Sequence, residues 1–189
     1  MRILIDQLES SLGTGLYYLS LFTALAIPDI GGALDSDDGR ANGDRYRAWY
    51  EKWVRPRFKE QVLQELPPDA HTHVANLQNP LTGDVCYRFR CSLLHQGTSQ
   101  HPESAFTRII FIEPGTTTNV IHYGIIDNGP TDRVLCIDLK HFCREVIGGT
   151  RLWLGQVEST EHYKVNYDAF ARRHASGLAP YVIGVPVVG

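Results

Sequence analysis

Cysteine is scarce in this chain. Cys86, Cys91, Cys136 and Cys143 are the four among 189 residues, and their spacings match neither a zinc knuckle nor a redox CxxC pair. A disulfide-stapled scaffold is thereby excluded, and the chain is long enough to bury a core without staples or zinc. Apolar neighbours border each cysteine, so buried free thiols in a reducing compartment are expected. An excess of positive charge is also lacking. Eighteen Lys and Arg face 21 Asp and Glu, net −3, so no global basic field draws the molecule to nucleic acid or anionic lipid. Any polyanion site has to be a local patch.

Long apolar runs are missing too. The nearest candidate, residues 16–26 (LYYLSLFTALA), ends like a signal peptide but is too short to span a bilayer, which needs about 20 apolar residues. Arg2 is outweighed by Asp6 and Glu9 ahead of it, whereas export signals begin positive. The expectation is a buried helix of a cytoplasmic protein, with no membrane as partner. With 43% apolar and 21% charged residues, the composition excludes a disordered chain, a collagen and a coiled-coil rod. No internal repeat or low-complexity tract is present, and the length fits one domain over 1–189.

What is there reads as mainly helical. Residues 6–26 are apolar on most faces, the pattern of a central helix, and Ile27-Pro28 is expected to stop it. Residues 29–44 form a polar, Asp-rich loop that fails the calcium-loop template, with Gly39 at the fifth position and Tyr46 at the twelfth. A second helix is expected from an Asp44 N-cap, with Tyr46, Trp49, Tyr50 and Trp53 in one apolar stripe. Residues 3–38 hold six acids and no Lys or Arg, while residues 40–60 hold seven bases against three acids. That basic run is either a solvated helix face or the best candidate for a polyanion-facing surface. After a Pro-, Asn- and Gly-containing connection over 67–84, a third helix is expected at about 84–96, capped by Asp84 and ended by a left-handed Gly97. Residues 106–112 and 120–126 read as a β-hairpin around Pro114-Gly115-Thr116-Thr117. Leu135, Leu139, Phe142, Val146 and Trp153 suggest a helix from about Asp138 to Glu158, with Gly148-Gly149 read as a kink site. The helical core thus covers about 1–158, and residues 177–189 form a strand or extended arm.

The third helix carries the most informative motif, Arg90-x4-His95 near its C-terminus. Together with Arg45-Tyr46-Arg47-Ala48-Trp49-Tyr50-Glu51-Lys52-Trp53-Val54 and Phe89-Arg90-Cys91-Ser92-Leu93-Leu94-His95-Gln96-Gly97, it resembles the HEPN superfamily (higher eukaryotes and prokaryotes nucleotide-binding), whose signature is R-x4-6-H. The resemblance covers roughly residues 1–157. It implies a mainly α, HEPN-like helical bundle with a small β-hairpin insertion after the motif helix. It also implies a homodimer, with RNA as substrate and an antitoxin protein as partner. The family holds both metal-independent endoribonucleases, many of them toxins or defence proteins, and members without catalysis. One departure stands out: active members usually place Asn, Asp or His directly after the arginine, and here that residue is Cys91, a weaker hydrogen-bonding group.

The chemistry explains the residue types. Cleavage without metal activates a ribose 2′-hydroxyl against the adjacent phosphate, which needs a base, an acid and a cation. Histidine titrates in the required range, and arginine grips phosphate with an always-charged fork. Each chain offers one such histidine; a two-fold dimer offers two histidines and two arginines. On a regular helix Arg90 and His95 stand about 140° apart, so they meet only if the last turn departs from ideal or the arginine bends back. The helix C-terminus favours a protonated His95 and an acid role. The competing reading is structural: Arg90 pairs with an acid of the N-terminal third, and His95 caps carbonyls. Arg88, Tyr87 and Ser92 are the candidate substrate-binding neighbours, alternatively packing residues. No cofactor is expected, and no metal: His71 and His73 lack a third ligand cluster. No Gly-x-Ser-x-Gly elbow occurs, Gly13-Thr14-Gly15 lacks the lysine of a phosphate loop, and His122 and Tyr123 have no obvious partner.

Overall fold

The computed structural model describes residues 1–65, 78–115, 122–129 and 131–189. The chain runs α1 (Arg2–Gly13), α2 (Tyr17–Leu34), α3 (Gly43–Trp53), α4 (Arg57–Glu65) and α5 (Gly83–Gln96). Three strands follow, β1 (Arg108–Ile112), β2 (Gly124–Asp127) and β3 (Arg133–Asp138). Next come α6 (Leu139–Val157) and α7 (Glu161–Asp168), then four two-residue strands, β4 (Arg173–His174), β5 (Gly177–Leu178), β6 (Val182–Ile183) and β7 (Val187–Val188). Helices dominate, as the apolar periodicity predicted. His71 and His73, most of the 67–84 connection, and Thr116-Thr117 of the expected hairpin turn lie outside the described residues.

The apolar block at 6–26 is two helices rather than one. Thr14, Gly15 and Leu16 separate them, with Gly15 in the left-handed region at φ +78°, a conformation open to glycine at no steric cost. Pro28 does not stop α2, which continues for six further residues. Proline removes one helical hydrogen bond, but here it is buried together with Ile27, Gly31, Gly32 and Leu34, and tertiary packing outweighs local propensity. That extension matters, because it carries Asp29 into the body of the protein. By length and composition α2 could cross a membrane; half of it is buried inside the fold, where it packs on α1, α3, α5, α6 and α7.

Two caps fall two residues earlier than the sequence suggests. Asn42 caps α3, its side chain accepting from Arg45 N at 2.9 Å, and Thr82 caps α5, accepting from Val85 N at 3.2 Å. Both residues hold extended backbone dihedrals, which frees their side chains to turn back on the first amides. Asp44 and Asp84 lie in the first turns instead. The helix expected from about Asp138 begins at Leu139, and Asp138 caps it, accepting from His141 N at 2.8 Å. Gly148 and Gly149 lie within an uninterrupted α6. At Gly149 a Cβ would stand 2.3 Å from the Trp53 carbonyl oxygen, so glycine there permits helix contact rather than a kink.

The expected hairpin is replaced by a three-stranded sheet in the order β1-β3-β2, with β1 parallel and β2 antiparallel to β3. The central place goes to β3, whose Leu135, Cys136 and Ile137 are all buried. A strand apolar on both faces belongs in the middle, whereas β2, mostly exposed, suits an edge. Leu135 therefore lies in this strand, not in the following helix. Phe111 on β1 docks the sheet on the helices, its ring 5.4 Å from Phe89 and 5.1 Å from Phe142. Beyond Tyr163 and Tyr167 of α7, the tail folds back in two small antiparallel pairs, β4 with β7 and β5 with β6.

Candidate functional site

The motif residues sit at the end of α5, where Gly97 at φ +67° closes the helix. Its amide reaches Leu93 O at 3.1 Å, and the Thr98 amide reaches Ser92 O at 3.2 Å. His95 is therefore in the last turn, and it is exposed. Arg90 bends along the helix so that Nη1 lies 2.8 Å from His95 Nε2. The flexible arginine stem closes the 140° gap that a regular helix would leave. A guanidinium has no acceptor, so Nε2 must accept, and the ring is neutral with its proton on Nδ1. This reverses the charge state that the helix C-terminus favours on its own, and suits a base better than an acid.

The other side of Arg90 faces Asp29. Nε and Nη2 both lie 2.7 Å from Asp29 Oδ2. Both side chains are largely shielded, with 19% and 17% of their surface exposed. Burial pushes the Asp29 carboxyl up, against the pull of Arg90. The acid comes from the extended part of α2, so the structure realises the pairing with the acidic N-terminal third. Asp29, Arg90 and His95 form a row: carboxylate, guanidinium, imidazole.

The remaining candidates divide. Tyr87 lies one turn before the row; its ring packs under Arg47, 4.3 Å from the guanidinium carbon, and 5.3 Å from the Tyr46 ring. Hydrogen bonding to Cys91, then burial, pushes the Tyr87 hydroxyl above its ordinary value. Cys91 is half-buried, unlike the other three cysteines, and its Sγ is 4.0 Å from Arg90 Nη1. It thus sits between Tyr87 and Arg90 as a weak acceptor. Arg88 is about 200° around the helix from Arg90, held by Asp84 at 2.7 Å and by Glu103, so the structure does not bring it to the row. Ser92 is buried at 1% exposure, with its hydroxyl unpartnered among the described residues. It is a packing residue.

The basic run of 40–60 is mostly neutralised. Arg45 pairs with Asp38, Arg47 with Asp84 and Asp44, Arg55 with Glu51, and Arg57 with Glu60. Its solvated-face reading fits this better than a polyanion surface. Among the described residues no group of three His, Cys, Asp or Glu side chains could hold a metal.

A second polar constellation, which sequence reasoning missed, joins the sheet to α6. Glu145, fully buried, receives His122 Nε2 at 2.9 Å and the Tyr123 hydroxyl. The Asp138 amide donates to His122 Nδ1 at 3.1 Å, so the proton is on Nε2 and Glu145 Oε1 accepts it. His122 also packs against Tyr123 and His141, ring centres 3.9 and 5.2 Å apart. Tyr123 holds φ 64°, a strained conformation for an aromatic residue. Burial pushes the Glu145 carboxyl up. The available signal was one acid on the apolar face of α6, with no indication of its partner.

No family model matches the chain, and comparison with curated proteins and with solved structures gives no significant match.

Proposed function

We propose that the protein is a metal-independent endoribonuclease of HEPN type, working as a homodimer in which Arg90 and His95 of both chains face one phosphodiester. The observation that carries this reading is the 2.8 Å contact between Arg90 Nη1 and His95 Nε2, with His95 exposed. A neutral imidazole with its accepting nitrogen beside a phosphate-binding group is what 2′-hydroxyl activation asks for. Arginine supplies the charge that the developing transition state needs. A second copy supplies a second histidine and a second arginine, so that the acid and base steps can fall to different chains. On α2, Tyr18 and Leu19 are exposed on the side of the helix that leads to Asp29, a face suited to that second copy. The HEPN-like bundle, a toxin or defence role with a cognate antitoxin, and a cytoplasmic setting belong to the same reading.

A second reading is favoured by one specific observation: Asp29 already holds two nitrogens of Arg90. In a non-catalytic HEPN-like module that pair is structural, and the surface binds a nucleotide, nucleic acid or protein partner without cleaving. Growth of cells expressing the wild type and His95→Ala separates the two. The nuclease reading expects toxicity and RNA cleavage that His95→Ala abolishes while the protein stays folded; unchanged behaviour favours the binding module.

A further inference from the structure

Beside the Arg90–His95 row lies an open cleft of about 560 Å³ between the end of α2, the 38–41 turn, α7 and the start of the tail. Asp29 lines it, so one side chain belongs to both places. Most of the wall is apolar, including Ile30, Ala33, Val165 and Phe170. The polar groups are Asp29, Asp38 and Asn166, and no Lys or Arg contributes to the lining.

Each of those three has one half engaged. Asp29 gives Oδ2 to Arg90. Asp38 gives Oδ1 to Arg45, Ser36 and the Arg40 amide. Asn166 donates its Nδ2 to the carbonyls of Leu34 at 3.1 Å and Ser36 at 2.7 Å; two carbonyl partners fix which end of that amide is nitrogen. Among the side chains of the described residues that line the cleft, Asp29 Oδ1, Asp38 Oδ2 and Asn166 Oδ1 are left without the partners that their sister atoms have, and all three are acceptors. Asn166 Oδ1 lies against Gly39, where a Cβ would approach to 3.1 Å.

We propose that this cleft is a nucleobase site selecting bases that carry an exocyclic amino group. The proposal rests on reading Arg90 and His95 as a phosphodiester site. A phosphate is excluded from the cleft by two carboxylates and the missing cations. A flat heteroaromatic ring suits the apolar walls, with Phe170 as the stacking surface. Acceptors alone reward N–H donors, so adenine, guanine and cytosine fit. Uracil presents two carbonyl oxygens around its single N–H and sets acceptor against acceptor. Such a mismatch disfavours uracil, most at Asp29, whose side chain is only 17% exposed. The volume lies within the range of small-molecule sites. Asp29 then couples recognition to chemistry, one oxygen on the base and the other on the arginine.

The test is calorimetric titration of the full chain with adenosine, guanosine, cytidine and uridine, which carry no phosphate, and with N-methylguanidine as a small cation. The expected result is binding of the three amino-bearing nucleosides, with uridine at least about tenfold weaker. Ala33→Phe, which fills the cleft, removes that binding, and Gly148→Ala, on α6 outside the cleft lining, leaves it intact. Ala41→Leu, outside the helices, narrows the same cleft should Ala33→Phe fail to fold. Equal binding of uridine, no nucleoside binding, or capture of N-methylguanidine alone overturns the base site. RNA cleavage indifferent to base identity, with no nucleoside bound, sinks the cleft and spares the nuclease. Nucleoside binding without any cleavage does the reverse.

Discussion

Arg90 and Asp29, 61 positions apart, meet through a single oxygen: Nε and Nη2 both point to Asp29 Oδ2 at 2.7 Å. The other reachable nitrogen, Nη1, goes to His95. The guanidinium is thereby held in one orientation by groups from two helices, and the imidazole is held through it. Asp29→Asn replaces the charged acceptor by an amide and loosens that hold. For a pair with about a fifth of its surface in water, the expected loss is roughly 1–2 kcal/mol, between the values for exposed and buried pairs. Urea denaturation of the variant against wild type measures it. If Arg90 and His95 act on RNA, cleavage falls by more than the stability loss explains.

His95→Ala removes an exposed side chain, so stability should stay within about 0.5 kcal/mol. Cleavage by a general base should fall at least about 100-fold. The two readouts together, melting and RNA hydrolysis, decide whether this residue does chemistry or covers the helix end. A large stability loss with unaltered activity would refute the catalytic assignment.

Ser92→Ala tests a candidate that burial removes from the surface. Its hydroxyl is buried and unpartnered, and such a group costs about 1–3 kcal/mol to desolvate. The alanine variant should therefore be as stable as wild type or more so, with nucleic-acid binding unchanged.

Gly149→Ala puts a methyl group 2.3 Å from the Trp53 carbonyl oxygen. The obstacle is backbone, which cannot swing away, so α6 and the end of α3 must part. A loss of about 2–4 kcal/mol is expected from overpacking of this kind, although alanine is the better helix former. Gly148→Ala, where a Cβ meets nothing within 4 Å, is the control and should gain a few tenths to about 1 kcal/mol.

Glu145 gives the fold a pH dependence of definite sign. Its carboxyl is raised by burial above the ordinary 4.5, so between 4.5 and the raised value the folded chain binds more protons than the unfolded one. Stability then falls as pH rises through that window and levels off above it. Asp29, also raised, acts in the same direction. Asp38, held down to about 2 by Arg45, acts oppositely and only at more acid pH. Melting temperatures should decline as pH rises from 4.5 towards 6, below the range where the Met1 ammonium, lowered to about 6 by burial, acts oppositely, and Glu145→Gln should flatten that decline. The amide also sets a donor against His122 Nε2 or the Tyr123 hydroxyl, so this variant should melt lower at pH 5.

Local signals sufficed for much of the architecture. The apolar periodicity of Tyr46, Trp49, Tyr50 and Trp53 marked a buried helix face, and all four are buried. Gly97 ended α5 in the left-handed conformation, and Asp138 capped α6, because these depend on a residue's own dihedrals and immediate neighbours. The pairing of strands was a different matter. Nothing local in residues 106–138 says that β3 lies between the two strands before it; that order follows from which strand must be covered on both faces.

The site divides the same way. The amino-acid sequence by itself determined that Arg90 and His95 share the end of one helix, and that acids crowd the first 38 residues. Which acid would reach the arginine was settled by packing, since burying Pro28 kept α2 helical long enough to deliver Asp29. Packing likewise buried Ser92, sent Arg88 to Asp84 and Glu103, and brought Glu145 to His122 and Tyr123. Contacts between distant segments form only where the core positions whole elements, and that is a property of the assembled chain rather than of any short stretch of it.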